Sequence, residues 1–190
     1  MTSRRRFLAA SGSTFAGAAM ISAKDKDRPL LSFGLMADCQ YADIDTVGTR
    51  FYRQSPGKLR EAVAALNKQD LSFSFHLGDF IDRDFKSFAD LNPITATLKS
   101  TLYHALGNHD FDVPDDLKSQ VPAQLGLKKG YYSFRQAGFR FLVLDTTEVS
   151  TYRYPANDPK TKAAQIELQN LSTTKLPFAQ SWNSRAGDQQ

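Results

Sequence analysis

The chain has 190 residues, 41% of them hydrophobic and 23% charged, which suits one packed domain and excludes fibrous, repetitive and broadly disordered classes. Its formal charge is +4, but Arg4, Arg5 and Arg6 all precede the first acidic residue, Asp25, and without residues 1–23 the balance is 21 basic to 20 acidic. A near-neutral body of this kind argues against a nucleic-acid partner.

The first 23 residues read as an address rather than as part of the fold. A basic start is followed by an apolar run from Phe7 to Ile21, then by small residues and the charged stretch Lys24–Asp27. The run falls short of the roughly 20 apolar residues that span a bilayer comfortably. Ser3-Arg4-Arg5-Arg6-Phe7-Leu8 resembles the twin-arginine export motif. That resemblance implies handling by the export machinery, cleavage near Ala23 and a periplasmic or secreted bacterial product. Residues 24–29 then form a linker, and the domain occupies 30–190. Cys39, the single cysteine, has no partner for an internal disulfide.

Leu30–Ala37 is a compact apolar run that predicts a buried strand feeding a polar loop. Pro56, Leu59, Val63 and Leu66 predict a helix within residues 55–70. Leu71–Leu77 predicts the next strand, and a weaker helix over Phe88–Leu98 is expected to break near Asn92-Pro93. Thr101–Leu106 predicts a third strand. Alternating strand, loop and helix indicate a layered α/β domain. Further on, Tyr131–Leu144 predicts two adjacent strands joined at Ala137-Gly138, followed by a loop over residues 146–159 and a helix over 160–171.

Polar groups able to bind a metal stand just past the ends of the apolar strands: Asp38 and Gln40, then Asp79, then Asn108 and His109. In open α/β sheets the loops leaving the carboxyl ends of neighbouring strands converge on one crevice. Asp38 and Gln40, two positions apart, face one side if the chain stays extended. Oxygen donors with an imidazole suit Mn²⁺, Mg²⁺ or Fe²⁺, and a pair of such ions can activate water for displacement at phosphorus.

Asp38-Cys39-Gln40, Gly78-Asp79-Phe80-Ile81-Asp82-Arg83 and Gly107-Asn108-His109-Asp110, each after a strand, resemble the first three motifs of the calcineurin-like metallophosphoesterase family. Gln40 in the place of a histidine, with the following Gly48-Thr49-Arg50-Phe51-Tyr52-Arg53, resembles the branch of manganese-dependent ADP-ribose and CDP-alcohol diphosphatases. The resemblance implies a β-sandwich flanked by helices and a small phosphorylated substrate hydrolysed at two divalent ions, Mn²⁺ first and Fe²⁺ or Mg²⁺ as alternatives. It makes Asp38 and Gln40 ligands of one metal, Asp79 the bridge and Asn108 a ligand of the other. His109 would stabilise the phosphate or protonate the leaving oxygen, with Asp82 or Asp110 orienting its ring. Arg83 would brace its loop or form a surface pair. Apart from the resemblance, Arg50 or Arg53 in the exposed stretch Gly48–Arg53 either meets substrate phosphate or stands as solvated charge.

His76 and His104 read as satisfied strand neighbours, Cys39 as packing, and the aromatic cluster Tyr131, Tyr132, Phe134, Phe139 and Phe141 as hairpin packing. The family's later motifs, an isolated histidine and G-H-x-H, have no counterpart, because no histidine follows His109. The chain is therefore expected to hold roughly the first half of the fold, with self-association covering the missing half. The alternative is a catalytically incomplete remnant, or an interaction module that binds at most one metal.

Overall fold

The computed structural model describes residues 29–173; the signal-peptide reading of residues 1–23, nearly all of the linker and the stretch beyond residue 173 lie outside them. From Leu31 onward the described residues form one compact unit.

Three strands, β1 (Phe33–Met36), β2 (Phe73–His76) and β3 (Leu102–His104), form a parallel sheet in the order β1-β2-β3. The register sets Met36 beside His76 and His76 beside His104. All three strands therefore end level, and the loops that carry Asp38, Asp79 and Asn108 leave the same edge.

Parallel strands need long crossovers, supplied here by α1 (Ser55–Leu66) and α2 (Ser87–Thr95). Helix α1 carries Pro56 in its first turn, where a missing N–H costs little, and buries Leu59 and Val63 one turn apart. Helix α2 departs from expectation by running unbroken through Pro93. An interior proline costs about 3 kcal/mol, but Phe88, Leu91 and Ile94 are all buried in the helix-side cluster. Such burial returns about 1.5–3 kcal/mol per side chain, so packing outweighs the proline. Asn92 adds a tether, its Nδ2 donating to the Gln124 carbonyl at 2.9 Å.

Strand β2 sorts its side chains with a period of two. His76 turns towards the helices, its ring 4.9 Å from Phe80, whereas Phe73 and Phe75 join a second cluster on the other face. That face is covered by a hairpin of β4 (Tyr132–Gln136) and β5 (Phe139–Val143). Its turn residues Ala137 and Gly138 have φ of 48° and 82°, the double positive φ of a type I′ turn, which matches the strand twist. Phe134 and Phe141 stand 5.1 and 5.0 Å from Phe73, and Tyr103 stacks on Phe134 at 3.7 Å. Tyr132, Phe134 and Phe141 thus pack as the sequence predicts, while Tyr131 and Phe139 stay exposed.

The architecture is layered α/β, with helices on one face of the parallel sheet and the hairpin on the other. A short α3 (Val121–Gln124) and α4 (Pro159–Thr173) complete it. Among the described residues no helix is long and apolar enough to cross a membrane. Leu35, Leu142 and Leu144 are exposed.

Candidate metal centre

The loop after β1 does not stay extended, contrary to the sequence expectation. Asp38 and Gln40 adopt left-handed backbone, with φ of 55° and 43°, and Asp79 and Arg83 do the same at 56° and 67°. Such conformations cost on the order of 1–3 kcal/mol each in residues other than glycine and persist only where the surroundings enforce them. Enforcement comes from the neighbouring loop: the Asp38 N–H donates to the Gly78 carbonyl at 3.2 Å and the Gln40 N–H to the Asp79 carbonyl at 2.9 Å. A parallel bridge between Tyr41 and Ile81 closes the pair of loops. Asp38, Gln40 and Asp79 are thereby interlaced through their backbones, although 39 residues separate Gln40 from Asp79. The Gln40 amide nitrogen lies 3.3 Å from Asp79 Oδ2.

The third loop is joined to the second by Asp110. Its Oδ1 accepts N–H groups from Phe80 at 2.7 Å and Ile81 at 3.2 Å; its Oδ2 accepts from Gly107 at 2.9 Å and Asp79 at 3.2 Å. Burial pushes the Asp110 carboxyl up to about 6, against the pull of these donors. Gly107 makes the junction possible, because a Cβ there would lie 2.1 Å from Asp79 Oδ1. With the loops so close, the His109 N–H donates to Asp79 Oδ1 at 3.0 Å.

Of the two carboxylates considered for His109, Asp82 is the one that faces its ring. Asp82 Oδ1 lies 3.0 Å from His109 Nδ1 in an ion-pair contact, with Asp82 fully buried and His109 nearly so. Asp110 is instead committed to backbone and does not take the orienting role that sequence reasoning left open for it. Burial pulls the His109 imidazole down, but Asp82, helped by Asp79, more than offsets this and sets its pKa above the ordinary value. Burial alone would raise Asp82, yet His109, the Tyr52 hydroxyl and Arg83 hold it below the usual carboxylate range. The other ring nitrogen, His109 Nε2, is buried without a hydrogen-bond partner.

Two arginines reach Asp82: Arg50 Nη1 at 3.3 Å from Oδ2, and the more exposed Arg83 Nε at 3.5 Å from Oδ1. Arg53 points elsewhere, pairing with Asp43 at 2.6 Å and with Asp45 on the surface. Burial raises the Tyr152 phenol, a hydrogen bond with Ser150 opposes this, and the charges of Asp79 and Asp145 add to it.

Cys39 packs against the helix-side cluster, and burial pushes its thiol up to about 12, so it offers no thiolate. His76 and His104 are buried as expected, but three of their ring nitrogens lack hydrogen-bond partners, so they are not satisfied neighbours. Asp145 is occupied by Thr147, whose N–H and Oγ1 both reach its Oδ1. Among the described residues no three His, Cys, Asp or Glu side chains gather around a common point. The residues read from the sequence as metal ligands, Asp38, Gln40, Asp79 and Asn108, carry two carboxylates and two amides, side chains able to offer oxygen.

A family model described as calcineurin-like phosphoesterase matches residues 31–184. The manganese-dependent ADP-ribose/CDP-alcohol diphosphatase of Oryza sativa subsp. japonica is 34% identical over 164 residues, covering 77% of this chain and 51% of that protein. The Arabidopsis thaliana protein of the same name is 32% identical over 171 residues, covering 78% of this chain and 53% of its own. The chain therefore spans about half the length of these curated relatives. A crystal structure of a dimetal phosphatase from Danio rerio is similar with a TM-score of 0.63 at 27% identity, covering 75% of this chain and 52% of that one. The matched segment contains both the sheet and all three loops at its edge, and the chain belongs to the calcineurin-like phosphoesterase family.

Proposed function

We propose that this chain carries the first part of a metal-dependent hydrolase that cleaves phosphoester or phosphoanhydride bonds in small phosphorylated substrates, nucleoside-diphosphate-linked compounds among them. The observation that carries this reading is the state of His109, with Asp82 at one ring nitrogen, the other ring nitrogen buried without a hydrogen-bond partner, and its backbone N–H on Asp79.

The donor chemistry fits a hard divalent ion. Asp38, Gln40, Asp79 and Asn108 supply oxygen, no thiolate is within the set, and Mn²⁺, with Fe²⁺ or Mg²⁺ as alternatives, prefers such ligands. In this reading Asp38 and Gln40 would hold one ion and Asn108 the other, with Asp79 serving both. A bound pair of such ions supplies positive charge to the phosphoryl oxygens and lowers the pKa of a bound water. His109 then holds a proton at Nε2 for the leaving oxygen, and Asp82 fixes the ring and stabilises its charged form.

A second reading has one observation in its favour. With no cluster of three His, Cys, Asp or Glu side chains among the described residues, a non-catalytic module that binds at most one ion accounts for the same loops. Hydrolysis of ADP-ribose and of bis(p-nitrophenyl) phosphate by the full chain, with and without Mn²⁺, separates the two. Metal-dependent turnover that disappears in Asp79→Asn supports the hydrolase. A folded protein with no turnover supports the module.

Export belongs to the same proposal. Residues 1–23 are read as a twin-arginine-type signal that delivers the domain starting at residue 30 to the periplasm or the medium, which fractionation of cells expressing Arg4→Lys/Arg5→Lys tests. Self-association over the exposed Leu142 and Leu144 is tested by light scattering.

A further inference from the structure

We propose that Arg50 is a positioning residue of this centre, holding the Asp82 carboxylate in the orientation that presents it to His109. The inference rests on the reading of His109 as the group that handles the proton.

A carboxylate turns easily about its last torsion, which is broad and twofold. Asp82 meets different elements at its two oxygens: Oδ1 lies 3.0 Å from His109 Nδ1, in ion-pair contact but outside hydrogen-bond geometry, and Oδ2 lies 3.3 Å from Arg50 Nη1. Arg83 approaches the same oxygen as His109, at 3.5 Å. Without Arg50, the arginine left beside Asp82 among the described residues, Arg83, would therefore compete with the imidazole for Oδ1. Arg50 pulls on the opposite oxygen and leaves Oδ1 to the ring.

The loop that delivers Arg50 is fastened on both sides. The Arg50 N–H donates to the Val47 carbonyl at 3.0 Å, and the Val47 N–H donates back to the Arg50 carbonyl at 3.2 Å. Two residues on, Tyr52 is buried at 2% exposure. A guanidinium carried by such a turn arrives with its fork already placed, so a lysine would restore the charge but not the geometry. Arg50 and Asp82 are 32 residues apart, so the contact is tertiary and ties the loop after β1 to the loop after β2.

The test uses the full chain, whose three histidines make ring nitrogen signals easy to assign. Nitrogen-15 spectra are recorded for wild type, Arg50→Met, Arg50→Lys and Asp82→Asn at a pH where the rings are neutral. The wild-type His109 ring is expected to be the tautomer protonated at Nδ1. Arg50→Met is expected to move it towards a mixture, Arg50→Lys to move it less, and Asp82→Asn to move it most, with no further change on adding Arg50→Met. In turnover assays kcat is expected to fall about 10-fold with KM unchanged, again without addition to Asp82→Asn. Wild-type His109 signals in a folded Arg50→Met protein overturn the proposal, as does a raised KM at constant kcat, which would place Arg50 on the substrate. If Arg50→Met does not fold, Arg50→Lys decides by the same two readouts. Absence of turnover in wild type would refute the hydrolase reading and leave the nitrogen spectra to decide on Arg50.

Discussion

Asp110 Oδ1 lies 2.7 Å from the backbone nitrogen of Phe80, and this contact joins the loop after β3 to the loop after β2. The carboxylate also accepts N–H groups from Ile81, Gly107 and Asp79. Asp110→Asn keeps the shape but turns an NH₂ group against backbone donors. It is expected to lower stability by about 3 kcal/mol, because a buried N–H left without its acceptor is costly. Urea denaturation of the two proteins measures the difference, and a change below about 0.5 kcal/mol would mean that Asp110 is not the brace described.

Gly107 tests how tightly Asp79 is placed. In Gly107→Ala the new Cβ would lie 2.1 Å from Asp79 Oδ1 and 2.3 Å from its backbone nitrogen. Asp79 has to move, and its bond from the His109 N–H goes with it. Expected losses are about 2 kcal/mol of stability and at least about 10-fold in Mn²⁺ affinity by calorimetry. Unchanged affinity would remove Asp79 from the ligand set.

His76 and His104 predict acid sensitivity. Burial pushes their pKa values down to about 3 and about 4, with the charge of His104 adding to the effect at His76. Both are neutral in the fold and would take up protons near 6.5 in the unfolded chain. The unfolded state therefore binds more protons below that value. The stability these groups contribute is complete above pH 6.5 and falls as the pH drops towards 4 and then 3. At pH 5 the expected loss is on the order of 2 kcal/mol per histidine. Urea midpoints between pH 8 and pH 5 give the slope, which Asp110 and His109 oppose because their folded pKa values are raised, and His104→Phe should remove on the order of 2 kcal/mol of the acid loss.

Tyr132 clamps the hairpin to the sheet. Its hydroxyl donates to the His104 carbonyl at 2.7 Å and accepts the His104 N–H at 3.1 Å. Tyr132→Phe leaves both backbone groups without that partner and is expected to cost about 1–2 kcal/mol. Hydrogen exchange at the His104 amide should accelerate in the same variant, which separates this contact from loss of ring packing.

Much of the fold was legible because its signals are local. Apolar runs, a proline in a helix's first turn and Ala137-Gly138 between two strands each act within a few residues, and each element formed where it was expected. Pro93 shows the limit: a local rule predicted a break, and the burial of Phe88, Leu91 and Ile94 overrode it.

The motifs Asp38-Cys39-Gln40, Gly78–Arg83 and Gly107–Asp110, with their placement at strand ends, were determined by the sequence alone, since spacing and residue type do not depend on packing. The sequence could not show how those loops hold one another. Asp110 reaches across about 30 residues to Phe80, Arg50 across 32 to Asp82, and the left-handed turns at Asp38, Gln40 and Asp79 exist only because neighbouring loops supply their hydrogen bonds. Such contacts carry no periodicity and no fixed spacing. Only the folded chain decided that Asp82 faces His109 while Asp110 faces the backbone, because His109 and its neighbour Asp110 point in different directions once their loop is pinned against the loop after β2.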